Sequence, residues 1–152
     1  MASQLTEFLE QRKSKAQGTD WEAKKKDWLD ALSRLHSIIE GLLFDSQRKG
    51  IATFEEVPVT VSEDFVGTYE APELRLTVGD DRVVFAPQGL NVYGAAGRVD
   101  LRGDRDVISL IRLPEEGIQK EWQFVLQRVP KLRTIPLDEQ SLIEALEHVM
   151  IP

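Results

Sequence analysis

Leu74-Arg75-Leu76-Thr77-Val78-Gly79-Asp80-Asp81-Arg82-Val83 is the stretch that decides the fold. Leu74, Leu76 and Val78 alternate with Arg75 and Thr77, the period of a strand with one buried face. Gly79-Asp80-Asp81-Arg82 is a set of turn formers that returns the chain antiparallel to itself at Val83. Upstream, Val57, Val59 and Val61 alternate with Pro58, Thr60 and Ser62. Downstream, Pro87-Gln88-Gly89 predicts a turn into a strand over 90–93, and Gly94-Ala95-Ala96-Gly97 predicts a break or bulge. Arg98-Val99-Asp100-Leu101-Arg102 alternates strictly, and Gly103-Asp104-Arg105-Asp106 turns it into Val107–Leu113. Pro114-Glu115-Glu116-Gly117 then turns into a strand over Glu121–Val129, with Trp122, Phe124 and Leu126 on one face. About six to eight short strands joined by tight turns over 54–129 predict an antiparallel meander, open or curled, rather than βαβ units.

Helical periods flank this region. Leu5, Phe8 and Leu9 share one face of a helix expected over 3–16, which Gly18 interrupts. Thr19-Asp20-Trp21-Glu22 has the form of a capping box with Thr19 as the N-cap. A second helix over 20–44 follows, with Trp21, Trp28, Leu32, Leu35, Ile39 and Leu42 or Leu43 in one stripe. Residues 1–44 therefore read as a helical arm, either continuous or folded back as a hairpin. After Pro136, Asp138 is a good N-cap for a helix over 138–150, with Leu142, Ile143, Leu146, Val149 and Met150 facing inward. The expectation is one α+β domain across 1–152, with the last helix packed on the sheet.

The chain carries a net charge of −7, which repels nucleic acid and anionic membrane on average. The charge is uneven: residues 1–26 sum to +2 and the remainder to −9. Lys24, Lys25 and Lys26 fan over about 200° of a helix at ~100° per residue, a solvated face rather than one basic stripe. Nucleic-acid binding through residues 12–26 is thus a lesser alternative. The absence of cysteine excludes disulfides, thiolate zinc sites and a cysteine nucleophile. Met1-Ala2-Ser3-Gln4 does not open a signal peptide, and no apolar run approaches the ~20 residues of a membrane span, so a soluble cytoplasmic protein is expected.

No phosphate-cradling glycine loop and no Gly-x-Ser-x-Gly elbow is present. His36 and His148 each fall in a predicted helix without a second histidine at i+4, and read as partly exposed rather than metal-ligating. Asp100, Asp104 and Asp106 lack the twelve-residue calcium loop, since Ile111 stands where its closing glutamate belongs, and they read as turn chemistry. No catalytic set, metal or cofactor is expected.

Two features are less ordinary. Period two puts Arg98, Asp100 and Arg102 on one strand face, a pair of guanidiniums able to clamp a carboxylate or phosphate while Asp100 holds their forks. The small residues before them admit a ligand close to the backbone, and Tyr93 is a candidate wall. The plainer reading is a wetted row of alternating charges. Trp21, Trp28, Leu32 and Leu35 form the second feature, facing either a partner or the domain's own sheet. Together these predict a non-enzymatic cytoplasmic interaction or accessory protein that binds a protein partner or itself. The alternative is a binder of a small anionic ligand, or an enzyme, built on Arg98, Asp100 and Arg102.

Overall fold

The computed structural model describes residues 4–9, 20–92 and 94–150. Residues 4–9 are helical. Helices α1 (Trp21–Leu42) and α2 (Phe44–Arg48) precede seven strands: β1 (Ala52–Glu63), β2 (Gly67–Val78), β3 (Asp81–Gly89), β4 (Arg98–Arg102), β5 (Val107–Arg112), β6 (Trp122–Gln127) and β7 (Arg133–Pro136). Helix α3 (Glu139–Val149) follows. The strands form one sheet in the order β1-β2-β3-β4-β5-β6-β7, each antiparallel to its neighbours. The architecture is α+β. β1 and β7 are opposite edges that do not pair, so the sheet is open and the curled alternative does not apply.

α1 begins where Asp20 accepts the Ala23 N–H at 3.0 Å, satisfying one of the donors a helix start leaves unpaired. Asp20, not Thr19, is therefore the cap; Thr19 lies outside the described residues, as do 10–18, where the choice between a continuous arm and a hairpin falls. Trp28, Ala31, Leu32, Leu35 and Ile39 are fully buried against the sheet. Each large side chain among them contributes roughly 1.5–3 kcal/mol by leaving water. The Trp122 indole N–H donates to the Ala31 carbonyl at 3.2 Å, and its ring centroid lies 5.9 Å from that of Trp28. Gly97 makes this packing feasible: its φ is +157°, and a Cβ there would overlap the Trp28 ring.

The β2–β3 hairpin turns at Gly79-Asp80, with Gly79 at φ +61°, and pairs Val78 with Asp81. Leu74, Leu76, Val83, Phe85, Val99, Leu101, Leu110, Trp122 and Phe124 form the buried floor. β2 is longer than its clean alternation suggests, because the buried positions switch from Tyr69 and Ala71 to Leu74 and Leu76. Register with β1 is unbroken, including Pro58 opposite Pro72, so those sets lie on opposite faces of the ribbon. The twist of this long two-stranded segment brings both sets into one core.

Four expectations are corrected. Pro87-Gln88-Gly89 is a bulged end of β3, not a turn, and Leu90 to Val92 form no strand beyond an isolated Val92–Ala95 bridge. β6 stops at Gln127, and the register shift between Val125 and Gln127 leaves Leu126 exposed instead of inward. β7 occupies a stretch with no strand expectation, a four-residue edge ending in Pro136, where a missing N–H does no harm. In α3, Ala145 is buried and Ile143 exposed. The α3 start is as read: Asp138 accepts the Ser141 N–H at 2.8 Å, and Ser141 Oγ accepts the Asp138 N–H at 2.9 Å.

Candidate functional site

β4 brings Arg98, Asp100 and Arg102 together as period two requires. Arg98 donates from Nε and Nη2 to the two carboxylate oxygens of Asp100 at 2.8 and 2.9 Å. The Ser109 hydroxyl, opposite on β5, donates to the same carboxylate at 2.9 Å, and Arg102 Nη2 stands 3.8 Å away. The Asp100 side chain is buried while both arginines reach solvent. The hydrogen bond to Asp100, against a smaller opposing effect of burial, raises the Arg98 pKa. The fork that would grip a ligand is thus spent inside the chain. Tyr93 lies outside the described residues.

Trp28, Leu32 and Leu35 are core residues of this chain, which corrects their place among interface candidates. Trp21 is only partly buried. It stacks on Phe65 with centroids 5.7 Å apart and planes 10° from parallel, and the Lys24 ammonium is 5.2 Å from its ring centroid. Phe65 is exposed and holds φ +68° at the β1–β2 tip, a conformation unfavourable for a bulky side chain. His36 is buried, not partly exposed, with Nδ1 2.8 Å from Glu56 and Nε2 without a partner. His148 is half exposed, 2.9 Å from Asp106. Among the described residues no group of three or more His, Cys, Asp or Glu could hold a metal ion, and no helix is long and apolar enough to cross a membrane.

A second arginine–carboxylate cluster lies under α1. Glu121, just before β6, accepts from Arg34 Nε and Nη2 at 3.1 and 2.9 Å and from Arg112 Nε at 2.8 Å. Arg112 Nη1 is 2.9 Å from Asp27 on α1. Burial alone would raise the Glu121 carboxyl; the hydrogen bonds and charges of Arg34 and Arg112 outweigh it and hold it below its ordinary value. Sequence reasoning missed these four residues. A signal exists for one: Arg112 continues the inward row of Ile108 and Leu110, and a core-facing arginine needs a counterion. Nothing local points to Arg34, which is 87 positions from Glu121.

Two cavities flank these clusters. One, of about 290 Å³, opens at the start of α1, and Arg112, Lys24, Asp27 and Trp21 line it. The other, of about 510 Å³, opens where β5 and β6 cease to pair, between Ile108, Phe124, Leu126, Ala145 and His148. Neither is lined by Arg98, Asp100 or Arg102. Comparison with protein-family models, curated proteins and solved structures gives no match for this chain.

Proposed function

We propose that this chain is a non-enzymatic interaction protein whose first partner is a second copy of itself. One observation carries the reading: among the described residues, apolar side chains stand exposed on the helix over 4–9 and beside the larger cavity. Leu5 and Leu9 on the helix over 4–9 are 66% and 55% exposed. The larger cavity is open beside exposed Leu126 and Val107. A partly apolar groove of this kind suits an amphipathic helix with anchors at i and i+4. Two-fold symmetry repeats the contact, so four apolar anchors are buried per dimer. Gross burial of roughly 1.5–3 kcal/mol each is partly cancelled by association entropy, predicting dimerisation at roughly micromolar concentration.

Sedimentation equilibrium tests this. The wild type should be a dimer at about 200 µM, well above such a dissociation constant. Leu5→Glu/Leu9→Glu and, separately, Leu126→Glu should both be monomers with melting temperatures close to the wild type. A monomeric wild type, or a dimer that survives Leu126→Glu, overturns the reading.

A further inference from the structure

We infer that the cleft at the start of α1 binds a small carboxylate with an apolar, ring-sized body, and that Asp27 occupies the carboxylate's place when the cleft is empty. Arg112 is the centre of the argument. Its side chain is 5% exposed and bonded on one side to Glu121, equally buried. Its other contact is Asp27, whose side chain is 63% exposed on the outer turn of the helix. A buried guanidinium requires anionic partners, but only one of these two is enclosed. The exposed carboxylate costs little to release into water, and an incoming carboxylate restores the same charge-assisted hydrogen bond. Lys24 adds a second cation to the wall.

The rest of the cleft matches the remainder of such a ligand. Leu90, Val92 and Pro114 supply apolar wall, and Ala95 and Ala96 allow close approach to the backbone. Trp21 closes one side. Phe65 packs flat on it, with ring centroids 5.7 Å apart, which favours the indole's orientation before any ligand arrives. A volume of about 290 Å³ is at the low end for organic ligands and suits one or two rings. The cleft shares no lining residue with the groove assigned to self-association, so either reading can fail alone.

The full-length protein is titrated with 1-naphthoate and with neutral 1-naphthamide, using calorimetry and tryptophan fluorescence. Naphthoate should bind, and the amide about tenfold or more weaker, the ratio expected for one lost charge-assisted contact. Asp27→Asn keeps an acceptor for Arg112 and removes the competing charge, so it should tighten naphthoate about tenfold and leave the amide unchanged. Lys24→Gln, on the exposed helix surface, should weaken naphthoate several-fold in a protein of unchanged melting temperature. Equal binding of acid and amide overturns the inference. So does naphthoate affinity unmoved by both substitutions, or absence of saturable binding at millimolar concentration.

Discussion

Two clusters in this chain set a pair of arginines around one carboxylate, and they differ in what lies above them. Arg98, Asp100 and Arg102 sit on one central strand, two residues apart, with both guanidiniums reaching water. Arg34, Arg112 and Glu121 come from α1, β5 and the approach to β6, and α1 closes over Glu121 and Arg112. In the first, solvent shares the work of neutralising charge, so each contact contributes little. In the second, Arg34 also reaches water, but Arg112 and Glu121 are both buried, so losing either one strands the other in a poorly solvated place. The teaching is that proximity in sequence marked the cluster of lesser energetic consequence, while the one that helps hold the helix to the sheet is invisible along the chain.

The sharpest way to break this contrast is Glu121→Gln. It leaves Arg112 buried with only Asp27, and should cost about 3–5 kcal/mol in urea unfolding. A loss below 1 kcal/mol would show that the two clusters are energetically alike. Acid gives the second test. Because the folded Glu121 carboxyl lies below its ordinary value of 4.5, its contribution is present above that pH and is lost as pH falls through the lower folded value. Melting temperature should therefore drop below about pH 4.5, and drop less steeply in Glu121→Gln. Asp100→Asn comes next: the carboxylate is buried but its arginines are not, so a loss of about 1–2 kcal/mol is expected. Arg98→Ala is the smallest, under about 1 kcal/mol, since Ser109 and Arg102 remain near Asp100 and the lost cation was half in water. If Arg98→Ala proves as damaging as Glu121→Gln, solvent exposure is not what separates the two sites.

Legibility followed the range of the interaction. Arg98, Asp100 and Arg102 were readable together because a strand places residues i, i+2 and i+4 on one face wherever it sits in the fold. The stripe of α1 was readable for the same reason, but whether it faced a partner or the sheet was not. That depended on Trp122 and Gly97, far along the chain, receiving Trp28. Pro87-Gln88-Gly89 misled because proline and glycine mark turns and bulges alike, and only the pairing of Pro87 with Val99 and of Gly89 with Arg98 distinguishes them.

Period, turn chemistry and capping residues, all forces acting over a few positions, were enough to determine an α+β chain with a meander between helices and an α3 capped by Asp138. The tertiary structure alone decided that the sheet stays open, that α1 spends Trp28 on its own core, and that Asp27, Arg34, Arg112 and Glu121 converge. Those outcomes depend on desolvation and on charges paired across large sequence separations, and neither is encoded in any short window of residues.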